Sequence, residues 1–124
     1  MIAVDTSTLV AFLAGEEGKD MDRLAHALAH DQAAIPAPVV TEALSNPNTR
    51  EAVRTVLTDL PRLALDEGAW ERAAEMRGAL LAKKRRAYLA DTLIAQACID
   101  ADVPLLTRDR DFSAFAEHAG LKLA

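Results

Sequence analysis

Short apolar runs alternate with longer stretches of helical periodicity from one end of the chain to the other, and this alternation limits the folds open to it. Ile2-Ala3-Val4, Ala33-Ala34-Ile35, Arg62-Leu63-Ala64-Leu65 and Val103-Pro104-Leu105-Leu106-Thr107 read as short buried strands. Between them, helical patterns cover about residues 6–13, 20–30, 38–44, 49–60, 67–86, 88–102 and 111–119, and Leu121-Lys122-Leu123 reads as a last edge strand. Gly15, Pro36, Pro38, Asn46-Pro47 and Gly120 punctuate the pattern. Thr6 or Ser7 is expected to cap the first helix and Thr49 the one near residue 50. Strands separated by helices predict an α/β fold whose parallel sheet is covered on both faces. No repeat or linker divides residues 1–124, and a second core would leave each half about 60 residues, so a single domain is expected.

The alternation also gives the acids a geometry. In such sheets ligands bind beyond the carboxyl ends of the strands. Asp5 directly follows the first strand and Asp109 lies just beyond Thr107, so both are expected at that edge. Asp5 interrupts an otherwise apolar or hydroxyl-bearing run, where a carboxylate is costly unless paired, hydrogen-bonded or metal-bound. Asp91 sits among the apolar positions of its helix rather than on the polar arc of Thr92, Gln96 and Asp100. Asp111 competes with Asp109 but is the natural cap for the helix that follows. By periodicity alone Glu42 reads as a solvated helix acid, well away from the Val39, Val40, Ala43 and Leu44 stripe. Three or four converging carboxylates would suit Mg²⁺ or Mn²⁺, and without metal they would repel one another and raise some of their pKa values.

The net charge of −5 argues against a protein that coats nucleic acid through bulk positive charge. It leaves open a metal-dependent enzyme acting on phosphodiesters, because four acids gathered in one site would leave the rest of the chain near neutral. The basic run Lys83-Lys84-Arg85-Arg86 and the pair Arg108 and Arg110 could grip phosphates, or the run could simply be a solvated helix terminus. The aromatic set (Phe12, Trp70, Tyr88, Phe112, Phe115) offers no evident stacking platform, which favours a structured RNA chosen by shape. His26 and His30 stand one helical turn apart but lack a third ligand for zinc. One cysteine, Cys98, permits no internal disulfide, and no apolar run approaches the roughly 18–20 residues of a membrane span. With no basic start to a secretory signal, a cytoplasmic setting is expected.

Four segments occur in an order that resembles a known family: Val4-Asp5-Thr6-Ser7-Thr8-Leu9, Val39-Val40-Thr41-Glu42-Ala43-Leu44, Leu89-Ala90-Asp91-Thr92-Leu93-Ile94-Ala95 and Leu105-Leu106-Thr107-Arg108-Asp109-Arg110-Asp111-Phe112. The set looks like the PIN-domain ribonucleases, in particular the VapC-like toxins of type II toxin–antitoxin systems, and spans residues 2–123. The resemblance implies a three-layer α/β/α fold with a central, mostly parallel sheet. It implies an Mg²⁺- or Mn²⁺-dependent endoribonuclease whose catalytic acids are Asp5, Glu42, Asp91 and Asp109, with Asp5, Asp91 and Asp109 on the metal. Ser7 and Thr107 match pocket-lining positions. A cognate antitoxin and a homodimer are implied as partners, with no membrane. Two other readings compete. A phosphate-accepting receiver-like domain wants an acidic pair after the first strand and a Lys after the last, and here Asp5 meets Thr6 and Leu106 meets Thr-Arg-Asp. A non-catalytic acidic-pocket binding module would cleave nothing.

Overall fold

The computed structural model describes residues 1–124. Four strands, β1 (Ile2–Val4), β2 (Ala33–Pro36), β3 (Arg62–Leu63) and β4 (Leu105–Leu106), form one parallel sheet in the order β3-β2-β1-β4. The helices are α1 (Thr6–Leu13), α2 (Lys19–Ala29), α3 (Ala37–Ser45), α4 (Glu51–Asp59), α5 (Ala69–Ala82), α6 (Leu89–Ala101) and α7 (Ser113–His118), with a 3₁₀ turn at Arg110–Phe112 before α7. The expected edge strand is reduced to a single parallel bridge, Leu105 to Leu123.

Ile2, Ala3 and Val4 are all buried, as are Ala33, Ala34 and Ile35. Successive strand residues point to opposite faces, so helices must cover both sides of the sheet. Alanines at the registered pair Ala3 and Ala34 leave room for that close cover. One connected core of 23 residues runs through the sheet, with Leu9, Leu24, Val39, Leu57, Leu80, Ile94, Phe112 and Phe115 among its members. No helix is long and apolar enough to cross a membrane.

Three local expectations change. Asp5, not Thr6 or Ser7, caps α1, its side chain accepting from the Thr8 amide. Arg50 occupies the N-cap of α4, while the Thr49 hydroxyl donates to the Ala43 carbonyl at 2.6 Å. Helix α5 stops at Ala82 rather than near Arg86, because Lys84 turns into the left-handed region at φ 59°.

The strand order places the site. The chain runs outward from β1 to β2 to β3, then returns to add β4 on the other side of β1. The connections therefore diverge between β1 and β4, and a crevice opens beyond the carboxyl ends of those strands. Each helix that follows a strand begins at that same edge. So does α6, because its C-terminal end feeds the start of β4.

Candidate active site

The crevice is a pocket of about 420 Å³ whose lining includes Asp5, Glu42, Asp91 and Asp109, four acids from four separate elements. Asp5 leaves β1, Glu42 rides one turn into α3, Asp91 lies in the first turn of α6, and Asp109 caps the 3₁₀ turn after β4. Ser7 lines the pocket too, whereas Thr107 lies just behind it and acts through Asp5.

Asp5 is 4% exposed and fully engaged. One oxygen accepts from the Thr8 amide at 3.1 Å and from the Ser7 hydroxyl at 3.5 Å. The other accepts from the Thr107 hydroxyl at 2.6 Å. The same Thr107 oxygen accepts from the Asp109 amide at 3.0 Å, so one hydroxyl joins the ends of β1 and β4. Thr8 adds a second tie by accepting from the Arg108 amide at 3.1 Å. Glu42 accepts from the Thr6 hydroxyl at 2.9 Å. Glu42 is exposed and off the core-facing stripe, as its periodicity predicts, and the solvent it meets is the crevice.

Asp91 carries the clearest electrostatic signature. Its carboxyl is pushed up from 3.8 to about 6, first by burial and then by the negative charges of Asp109, Glu42, Asp111 and Asp5 in that order. Five carboxylates thus act on one region. Oxygens of Asp91, Asp109 and Asp111 lie within 4.8 Å of one another. Asp111 does not cap a helix as expected; Asp109 is the cap, accepting from the Asp111 amide at 2.9 Å, which leaves the Asp111 side chain beside the other two. An all-oxygen donor set of this kind fits a hard divalent cation such as Mg²⁺ or Mn²⁺ better than a metal that prefers thiolate ligands.

The basic residues separate into distinct environments. Arg85 pairs with Glu117 at 2.8 Å and contacts His118. Arg108 reaches away from the acids, to Asp20 at 2.6 Å, to Glu16 at 2.9 Å and to the Glu17 carbonyl at 3.0 Å, tying the β4 loop to the α1–α2 connection. Lys83 caps α5, Lys84 is exposed, and Arg110 is exposed on the 3₁₀ turn. Arg108→Ala is therefore expected to lower the melting temperature in thermal unfolding; an unchanged melting curve would show that these ties do not hold the β4 loop.

Sequence reasoning passed over Asn46, Asn48 and Arg50, which line the pocket from the α3–α4 connection. Asn46-Pro47 was legible only as a helix breaker. The one available signal was a polar, basic loop immediately following the Glu42 helix. The zinc reading of the histidines gains nothing, since His26 and His30 stack on each other at 4.1 Å and the His30 ring bonds the His26 carbonyl. Cys98 is buried in the core, and that burial pushes its thiol up to about 12, which makes it inert.

Comparison with known proteins bears on the family and the fold. The PIN domain family model matches residues 2–118. Among solved structures, VapBC2 from Rickettsia felis, bound to a DNA fragment from its promoter, superposes with a TM-score of 0.73 at 20% identity, covering 100% of this chain and 98% of that one. VapBC-5 from Mycobacterium tuberculosis, a member of the VapBC family of toxin–antitoxin systems, superposes at 0.69 with 22% identity, over 98% of this chain and 95% of that one. At these identities the likeness establishes a shared fold. A curated histidinol dehydrogenase from Gluconobacter oxydans (strain 621H) is 35% identical over 100 residues, 81% of this chain but 22% of that protein. The chain thus spans about a fifth of the curated relative it matches.

Proposed function

Because the chain belongs to the PIN-domain family, we propose that it is a divalent-metal-dependent endoribonuclease and the toxin of a toxin–antitoxin pair. The observation that carries this reading is the gathering of Asp5, Glu42, Asp91 and Asp109 around one pocket at the sheet's switch point, with Asp111 beside Asp91 and Asp109. Carboxylates gathered this way repel one another, and a bound cation relieves that repulsion.

In this proposal Asp5, Asp91 and Asp109 would hold the ion, and Asp111, whose oxygens lie within 4.8 Å of those of Asp91 and Asp109, would join them. Mg²⁺ or Mn²⁺, when bound, supplies positive charge against the scissile phosphate and a more acidic water. The protein's part is positioning and proton transfer. Glu42, oriented by the Thr6 hydroxyl, takes the proton of the attacking water. The water oxygen bonds to phosphorus in line with the departing 3′-oxygen, the P–O3′ bond breaks, and the 3′-oxygen takes a proton from solvent. The products are a 5′-phosphate and a 3′-hydroxyl. Thr107 and the α1 N-terminus keep Asp5 from turning away, and Ser7 stands at the pocket wall beside it. A structured RNA would present the nucleotides of a single-stranded loop to a crevice this small.

Partners follow the same reading. The VapBC structures support an antitoxin as the protein partner. A homodimer is supported by an apolar surface at Trp70 (58% exposed), Leu81 and Leu89 (62%), beside a groove lined by Pro38, Leu65 and Leu93. Contiguous apolar surface of this kind is uncommon on a free monomer. A buried, unpaired Cys98 accords with the cytoplasm.

The test is incubation of end-labelled RNA with the purified protein, with Mg²⁺ or Mn²⁺ and with excess EDTA. Cleavage leaving 5′-phosphate ends, abolished by EDTA and restored by either ion, is the expected result. Binding without cleavage in every condition would return the acidic-pocket binding module as the better reading.

A further inference from the structure

An acidic pocket must still attract a polyanion, and the cations that face it are few. Arg50 is the only basic side chain lining the pocket, on the wall built by the α3–α4 connection. It is exposed, and its side chain enters none of the ion pairs and hydrogen bonds that occupy Arg54, Arg72, Arg77, Arg85 and Arg108. A second cation meets the acids from outside the pocket. Arg86 holds its guanidinium 3.8 Å from Asp111, whose oxygens lie within 4.8 Å of those of Asp91 and Asp109. The same guanidinium sits over the ring of Tyr88, 5.6 Å from its centroid. Tyr88 is 51% exposed, three residues before Asp91, and its ring is not part of the core.

Arg108 spends its donors on two carboxylates and a carbonyl, the signature of a structural tie. Arg86 is 68% exposed at a loose 3.8 Å, so little is lost when it exchanges partners. A ring half exposed three residues before Asp91 contributes little to folding, whereas an exposed ring braced by a guanidinium is a surface on which any nucleobase can stack.

Building on the nuclease reading, we propose that the RNA strand is held at two points around the acids: Arg50 binds a backbone phosphate on the α3–α4 wall, while Tyr88 stacks a base splayed out of a loop and Arg86 binds the phosphate beside it. The basic run thus contributes one substrate contact, Arg86, and the stacking surface is a single ring rather than a platform. Arg50 and Arg86 together offset the repulsion that the carboxylates impose on an approaching phosphodiester.

The probe is a fluorescent RNA hairpin with a randomised loop containing 2-aminopurine. Cleavage is followed with Mg²⁺, and binding by anisotropy with Ca²⁺ in its place, across a range of salt. Arg50→Ala and Arg86→Ala are each expected to raise KM and weaken binding roughly tenfold, to hold kcat within about twofold, and to reduce the salt slope by about one. Tyr88→Ala is expected to weaken binding roughly tenfold and abolish the stacking quench of 2-aminopurine, while Tyr88→Phe keeps both. A merely structural role would shift the melting curve and leave salt slope and quench untouched. If the wild-type protein cleaves the hairpin but either arginine variant keeps the wild-type affinity and slope, this proposal is overturned and the nuclease reading stands. If the wild-type protein neither cleaves nor binds it, both fall.

Discussion

Asp91→Asn is expected to abolish RNA cleavage and, at neutral pH, to make the metal-free protein more stable. The two effects share one cause. Burial and the charges of Asp109, Glu42, Asp111 and Asp5 lift the Asp91 carboxyl from 3.8 to about 6. Below 3.8 the group is protonated in both folded and unfolded chains; between 3.8 and about 6 the folded chain keeps a proton that the unfolded one releases; above about 6 both are ionised and the fold bears the whole repulsion. Stability without metal therefore falls as pH rises through that window, and the fall should vanish in the asparagine variant. A shift of this size is worth about 3 kcal/mol at most, and screening at a half-buried group brings the expected gain near pH 7 to about 1–2 kcal/mol. Loss of a carboxylate that holds the ion should cost about a thousandfold or more in kcat/KM. Urea unfolding in EDTA at pH 5 and pH 7.5, beside cleavage rates with Mg²⁺, measures both. A destabilised Asp91→Asn in EDTA would instead mark Asp91 as a structural, hydrogen-bonded acid. Metal should reverse the pH trend, because ligation requires the ionised carboxylate.

Asp5→Ala is expected to lose cleavage to a similar extent but to move stability the other way. Asp5 is buried, caps α1 through the Thr8 amide and takes the Thr107 hydroxyl at 2.6 Å. Removing it costs the cap, about 1 kcal/mol, and strands a hydroxyl and an amide in a closed space. The expected loss is about 2–4 kcal/mol, and roughly 10 °C in melting temperature. Asp5→Asn, which keeps one acceptor oxygen, should unfold later than Asp5→Ala while cleaving no better. Equal stability of Asp5→Ala and the wild-type protein in EDTA would show that the Thr8 and Thr107 donors do not depend on it. One site acid is thus expected to be a burden on the fold and another a support, and the difference lies in their partners. No cation faces Asp91 closely, whereas three donors face Asp5.

These contrasts mark how far the residues could be read in order. Every strand and helix was visible within a few positions, because apolar period, proline and glycine act over a turn or less. Asp5 and Asp109 could be placed at one edge because the carboxyl ends of parallel strands share an edge. What failed was local competition among similar groups. Asp5 outcompeted Thr6 and Ser7 as the α1 cap, and Asp109 rather than Asp111 capped the 3₁₀ turn. Lys84 broke a helix whose pattern ran on to Arg86. For Asp5 a neighbour distant in the chain took part, the Thr107 hydroxyl bonding across to its carboxylate.

The sequence by itself determined the alternating α/β order, the parallel sheet and the presence of acids at strand ends, since these follow from spacing along one stretch of chain. Only the tertiary structure decided which acids meet, that Glu42 faces the crevice, that Arg108 is tied inward and that Arg50 and Arg86 face the carboxylates. Those outcomes depend on β4 returning beside β1 and on α3 and α6 starting at the same edge. Distances between groups tens of residues apart are fixed by packing of the whole core, and no local period encodes them.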